Sequence, residues 1–492
     1  MPQRRTPLTR RTLLTAAPLG LTAAAVAGCF APGESGTGTL VLANALTPAA
    51  GLSPHSEDAF LLARWSVAET LLALDDDGLP SALLATDWAQ AEDGSWDLTL
   101  REGVRFHDGT LLDAAAAAAA LTAAANAAAV PRVVDGLGLT AEPTGALTLR
   151  VATAAPDPVL PQRLSSPQLA ILAPAAYTGD AVDPVGHATG PYAIAASTTT
   201  GVELERHDDY WGERAAMASY RADYVPDAAT RVAALRSGEA HVIEAVPYAQ
   251  IANLDDARLQ DAPTGRTVSL YLNTEGPLAD PALRAAVAAA VDPAPIVDDI
   301  YEGRADAPEG LFGPALAWAA DHRPYDLPAP ADPGGTAVTL ATYTNRAELP
   351  EALTVIAAQL EAAGFTVATE VREYNDIEPD MLAGAFDLVL MSRSVVQDSG
   401  DAYTYLDSDF TGDGGFNVAR LADPAVDAAV AAVATAPDRQ AAVLDAEALV
   451  LATVAVVPIA HERLVTGVAP GVTDVASDPR ERRIITAATA IG

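Results

Sequence analysis

Apolar positions recur along the chain at period two in some stretches and at helical spacing in others, and this divides it into short strands and amphipathic helices. Leu40 to Leu46 is a continuous apolar run entering a Pro/Gly/Ser-rich segment, which predicts a short buried strand leading into a loop. Ser66 to Leu74 reads as a helix turning into a strand, with Asp75-Asp76-Asp77-Gly78 as the turn after it. Trp96 to Arg101 alternates as a half-buried strand does, and Val104-Arg105-Phe106 continues the pattern until His107-Asp108-Gly109 reverses the chain. Asp113 is placed to cap an alanine-rich helix running to about Ala129.

Further on, Thr189 to Pro263 predicts strand, strand and helix in succession, the helix running from Ala228 to Gly238 with Val232 and Leu235 at helical spacing. Val268 to Leu272 is a compact strand, followed by helices from Pro281 to Val291 and from Pro295 to Tyr301. Thr336 to Thr342, Glu351 to Ala363 and Thr366 to Val371 form a strand-helix-strand unit of the βαβ kind, and Phe386 to Met391 is a further strand. Helices around Pro424 to Ala434 and Arg439 to Ala452 lead into a returning strand, Val454 to Ala460. No internal repeat or low-complexity linker interrupts this body.

The first thirty residues belong to export rather than to the fold. Arg4, Arg5, Arg10 and Arg11 precede an apolar stretch from Leu13 to Gly28 and then the only cysteine, Cys29. Val26-Ala27-Gly28-Cys29 fits a bacterial lipobox, and Thr9-Arg10-Arg11-Thr12-Leu13-Leu14 fits a twin-arginine signal. A stretch of about 16 apolar residues interrupted by Pro18 and Gly20 is marginal for a membrane span, which needs roughly 20. Residues 1–28 are therefore read as a signal peptide, Cys29 as the lipid anchor and residues 29–38 as a flexible tether. The remaining chain is longer than one core usually holds, so two or three lobes are expected.

Composition narrows the partners. The formal charge is -36, which becomes -40 once the four signal arginines are removed (-36 minus 4), and every basic residue is arginine. Phosphates would be repelled, so no nucleic acid is expected. The acidity reads as solubility and salt tolerance rather than as attraction for cationic solutes, and the alanine run Ala114 to Ala120 as compositional bias on a helix surface. Catalytic patterns are missing: there is no G-x-S-x-G elbow, no Walker-type loop and no H-E-x-x-H, since His461-Glu462 is followed by Val465 where the second histidine would stand. The seven histidines never pair at ligand spacing, so no catalytic residue and no cofactor are expected.

Several segments, in order, resemble the extracytoplasmic solute-binding proteins of the peptide/nickel importer class, family 5. Leu100-Arg101-Glu102-Gly103-Val104-Arg105-Phe106-His107-Asp108-Gly109-Thr110 is the most specific match. Ala68-Glu69-Thr70-Leu71-Leu72, Thr189-Gly190-Pro191-Tyr192, Asp209-Tyr210-Trp211-Gly212 and Leu235-Arg236-Ser237-Gly238-Glu239 are similar to further family elements. The resemblance implies an α/β fold of the periplasmic-binding-protein type II, two lobes with an extra subdomain inserted in the first. It places lobe I in residues 39–65, 188–266 and 462–492, the inserted subdomain in 66–187 and lobe II in 267–461. The implied function is that of the substrate-binding component of an ABC importer, extracytoplasmic, lipid-anchored to the cell membrane and monomeric. It would pass a short peptide or a nickel/metal-chelate complex to permease and ATPase subunits. A solute sensor for a signalling receptor and a secreted hydrolase are the alternatives.

The resemblance also suggests where cargo is held. The strand Leu388-Val389-Leu390-Met391 runs into Ser392-Arg393 and then into Gln397-Asp398-Ser399-Gly400-Asp401-Ala402-Tyr403, similar to the family's acidic loop, where an aspartate meets a peptide's free amino group. Asp398 takes that position, with Asp401 and Tyr403 just after it and Arg393 just before. Tyr343 stands where some dipeptide binders place an arginine, and Arg346 is the nearest arginine to it. Tyr343 to Pro350 and Gly414 to Asn417 look more like the nickel-chelate branch, which makes His55 a candidate ligand to a metal held through its chelate, with no metal bound by protein ligands alone. His107 and the Tyr210-Trp211-Gly212 corner read as scaffold.

Overall fold

The computed structural model describes residues 39–179, 181–396 and 398–492, so the signal peptide, Cys29, the tether and Gln397 lie outside the described residues. Eleven strands share one mixed sheet: β1 (Leu40–Asn44), β2 (Tyr192–Ser197), β3 (Gly201–Arg206), β4 (Ser219–Tyr224), β5 (Val242–Ile243), β6 (Leu259–Leu272), β7 (Ala305–Asp306), β8 (Ala337–Tyr343), β9 (Thr366–Arg372), β10 (Leu388–Ser394) and β11 (Val456–Val468). Their order is β2-β3-β4-β1-β5-β11-β6-β10-β8-β9, with β7 paired to β11 off this path. Parallel pairs lie on both sides of the sheet: β1 with β4 and β5, and β8 with β9 and β10. Between them the strands run antiparallel, β5 to β11, β11 to β6 and β6 to β10.

The two long central strands tie these sides together. Leu259 to Pro263 of β6 pairs with Arg463 to Gly467 of β11, the register breaks between Pro263 and Thr267, and pairing resumes opposite His461. Pro263 has no N–H to give to a ladder, and Gly265 turns its own N–H to the carbonyl of Pro479 instead, so the strand bulges here. Strands that bulge bend, and this bend lies where each long strand leaves one half of the sheet for the other.

Buried apolar residues gather in separate clusters. One contains residues of β1–β4 with Ile484 and Ile485 of the C-terminal segment, and a smaller one includes Val41, Ile243 and Val465. The buried members of a large cluster run from Val268 to Ala460, with half-buried Tyr248 packed against them. Another lies between Leu71 and Ala173, around a four-stranded antiparallel sheet of Ala85–Gln90, Trp96–Leu100, Thr148–Ala152 and Thr140–Pro143.

Two local expectations change. The alanine run is not a surface feature: in the helix Ala114–Ala125, Ala114, Ala116, Ala117, Ala118 and Ala120 are buried, because methyl side chains let the helix lie close to its sheet. Asp113 caps it as expected, accepting from the Ala116 N–H. Ser66 to Leu74 does not form a helix; the helix lies earlier, at Ala59–Arg64, and the chain then turns at Ser66 with φ 54°. The carbonyls of Val67 and Glu69 accept from Gly190 and Ile171, so this segment is held by distant partners. Gly190 is required there because a Cβ would strike the Ser66 and Val67 carbonyls.

Glu69 accepts from Tyr210 Oη at 2.8 Å and Trp211 Nε1 at 3.0 Å, and the Arg101 guanidinium lies 4.1 Å over the indole. Burial pushes the Glu69 carboxyl up to about 6, against the opposing effect of its donors. Its folded value stands above the ordinary 4.5, so stability falls as pH rises through this window, by about 2 kcal/mol in all. Glu69→Gln is expected to remove this component, which thermal melts of both proteins across that range would show as a stability difference that changes with pH.

Candidate ligand-binding cleft

A cleft of about 810 Å³ opens beside the C-terminal end of β10. Its walls come from several clusters: Ala45, Leu46, Phe60 and Arg64 follow β1, Arg132 and Arg163 belong to the region of the smaller antiparallel sheet, Tyr343 ends β8 with Arg346 just after it, and Ser392 and Arg393 lie in β10. The C-terminal segment Pro479 to Arg482 also lines it.

Arg393 is built from its own neighbourhood. Helix Ala402–Phe410 buries Ala402, Tyr405, Leu406, Asp409 and Phe410, a one-sided helical spacing that carries Asp409 beneath β10. Asp409 then receives Arg393 through two bonds of 2.7 and 2.6 Å, and the guanidinium lies 3.9 Å over the Phe416 ring. Burial opposes the charge, but the Asp409 carboxylate outweighs it and holds Arg393 above its ordinary value.

A second network centres on Glu462, which β11 delivers opposite the bulge of β6. Its carboxylate accepts from Ser392 Oγ at 2.6 Å, Tyr301 Oη at 3.3 Å and Arg346 Nη1 at 3.1 Å. Glu462 first, and against burial, holds Arg346 above its ordinary value. The Tyr343 hydroxyl lies within hydrogen-bond reach of both backbone groups of Ser392, and its ring meets Tyr374 edge-on at 5.1 Å.

The C-terminal segment closes the ring of charge. Glu481 accepts from Arg266 Nε at 2.8 Å and faces Arg64 at 3.7 Å, while its carbonyl accepts from Arg64 Nε. Arg482 donates to the Ser165 carbonyl, to Ser165 Oγ and to the Asp398 carbonyl. The Asp398 carboxylate stands 3.6 Å from Arg132, which also faces Glu57 at 3.6 Å.

Of the residues singled out from the sequence, Asp398, Arg393, Arg346 and Tyr343 line this cleft together. Asp401, Tyr403 and His55 do not. Asp401 caps the helix Ala402–Phe410 by accepting from the Tyr403 N–H, and pairs with Arg439 at 3.1 Å. Tyr403 lies under that same guanidinium at 5.7 Å, and His55 stacks on Tyr177 at 6.2 Å, where burial lowers its pKa. The sequence reading missed Arg132, Arg266, Glu462 and the C-terminal segment. Arg480-Glu481-Arg482-Arg483 was a usable signal, since three arginines in four residues are conspicuous in a chain with 29 basic and 65 acidic residues. Among the described residues no group of His, Cys, Asp or Glu could hold a metal ion.

The architecture is thus a mixed α/β sheet with two long strands whose register breaks, beside a charged cleft lined from separate apolar clusters. The model for bacterial extracellular solute-binding proteins, family 5 middle, matches residues 80–417, and the chain belongs to this family. It is 27% identical over 332 residues to the glutathione-binding protein GsiB of Salmonella paratyphi A, a match covering 61% of this chain and 62% of that protein. Among solved structures, the nickel ABC transporter protein from Bacillus halodurans superimposes with a TM-score of 0.78 at 24% identity, covering 91% of this chain and 98% of the other. NikA from Brucella suis in complex with Fe(III)-EDTA gives 0.79 at 22% identity, covering 92% and 100%. These likenesses agree with the α/β periplasmic-binding-protein fold expected from the sequence.

Burial alone would raise the Glu481 carboxyl, but Arg266, Arg64 and Arg346 outweigh it and hold it at about 2. Its folded value lies below the ordinary 4.5, so the stability it contributes is present above that pH and is lost as pH falls toward 2. Glu481→Gln should cost about 2 kcal/mol at neutral pH, a figure reduced for partial exposure to solvent. Urea denaturation of both proteins would show the deficit, and it should shrink toward zero as the pH is lowered through that range.

Proposed function

We propose that this chain is the extracytoplasmic substrate-binding component of an ABC importer, capturing a short peptide or metal-chelate complex and delivering it unaltered to the permease. The observation that carries the reading is the cleft itself, about 810 Å³, walled by side chains from separate apolar cores beside two strands that bend between them. A solute touching several walls at once favours the closed arrangement by its differential affinity, and that state docks on the permease. In this reading residues 39–65, 188–266 and 462–492 act as lobe I, 66–187 as the inserted subdomain and 267–461 as lobe II. Cys29 carries the lipid that keeps the receptor at the membrane, and ATP hydrolysis belongs to other chains.

Relatives support the cargo class. GsiB is named for glutathione, a tripeptide, and the NikA structure holds Fe(III)-EDTA, a metal wrapped in a small chelator. The chain matches 62% of the length of the curated relatives, so transport by the whole protein is part of the proposal.

Small-angle scattering of the protein before removal of its co-purifying solute, after removal, and after adding that solute back tests this. The expected result is expansion on removal, compaction on return, and recovery of the solute chemically unchanged. Turnover of the returned solute, or scattering that ignores it, would contradict the reading.

A further inference from the structure

We infer that the cleft selects a small solute carrying two or more oxyanion groups, and that Arg480 and Arg482 of the C-terminal segment receive one of them. This deepens the capture reading and rests on it. Eight arginines and three carboxylates line the cleft, whereas the chain as a whole has 65 acidic residues against 29 basic ones. The ratio is reversed in this lining because arginine is concentrated there, on a protein whose net charge repels anions.

Most of these arginines already have partners. Arg393 belongs to Asp409, Arg346 to Glu462, Arg163 to Asp157, and Arg64 and Arg266 to Glu481. Arg132 shares Glu57 and Asp398 at 3.6 Å while 75% of its side chain stays exposed, so those contacts are loose. Glu481 is thus committed to protein arginine, while Glu57 and Asp398 are outnumbered in a lining of eight arginines.

Arg480 and Arg482 differ. Neither forms an ion pair among the described residues. Arg482 is fixed by neutral oxygens, those of Ser165 and the Asp398 carbonyl, which hold the guanidinium in place without cancelling its charge. The Arg480 side chain makes no hydrogen bond among the described residues and its buried Nε has no partner, while its Nη2 lies next to Gly78, on the turn whose Asp75 and Asp76 favour its charge without pairing with it. Burial pushes the Arg482 guanidinium down to about 10 and lowers Arg480 as well, with Asp478 opposing in both cases. Half-buried guanidinium groups with unspent donors match carboxylate or phosphate oxygens by their planar fork. A second oxyanion would meet the exposed guanidinium of Arg132 or the outer edge of Arg346.

Isothermal titration calorimetry on the mature full-length protein tests this with glutathione, Fe(III)-EDTA and pyrophosphate as anionic probes, and trialanine and trilysine as neutral and cationic ones. At least one anionic probe should bind about ten-fold or more tighter than either peptide control, more weakly as salt is raised. Which probe wins separates peptide carboxylate, chelate and phosphate as sources of the same chemistry. Arg480→Gln should weaken the preferred anion by about ten-fold and Arg480→Lys by less, with unchanged thermal melting because this side chain holds no other part of the protein. Arg482→Gln should do the same if it folds; Arg480 carries the test if it does not. Equal or tighter binding of trialanine or trilysine, or an Arg480→Gln protein that binds like the parent, would overturn the inference while leaving solute capture standing. Binding by none of the probes overturns it too, and native mass spectrometry showing no solute in the purified protein would then remove the capture reading as well.

Discussion

A guanidinium withdrawn from water must meet oxygen atoms, and that requirement arranges the walls of the cleft. Asp409 reaches Arg393 from a helix, Glu462 reaches Arg346 from a long strand, and Glu481 reaches Arg266 and Arg64 from the C-terminal segment. These pairings join elements far apart in sequence. Removing one carboxylate leaves a cation with nothing to replace it, so the networks specify where the walls stand relative to each other as much as they stabilise them.

The bulge in β6 is where backbone and charge meet. Pro263 and Gly265 take the strand off its ladder opposite Glu462, and the freed Gly265 N–H binds Pro479. The same turn of chain therefore bends the sheet, presents Arg266 to Glu481 and secures the segment that carries Arg480 and Arg482. The Thr264 hydroxyl donates to the Glu462 carbonyl across the gap, keeping the interrupted strands together where a solute would draw the walls inward.

Much of the fold was legible because it is local. The βαβ unit from β8 to β9 follows from apolar periodicity and appears as β8, a helix at Glu348–Ala362, and β9. The caps at Asp113 and Gly238 follow from side-chain chemistry and backbone sterics. Ser66 to Leu74 was misread because its backbone bonds to Gly190 and Ile171, partners that no window of sequence contains. In the cleft, the end of β10 and the loop after it could be found by resemblance; Arg393 comes from the strand and Asp398 from the loop. Asp401 has the same residue type and nearly the same position, but its carboxylate is taken by a helix N-terminus and Arg439. The C-terminal arginines gain their place only through contacts with Ser165, Gly265 and Asp398, so their density hinted at a role without locating it.

If separate walls grip one intact guest through guanidinium groups, a crystal structure of the protein with its co-purified solute will place that solute in the cleft, its oxygens within bonding distance of Arg480 or Arg482 on one side and of Arg346 or Arg132 on another. A solute bound outside the cleft, or held by a single wall alone, would rule such a grip out.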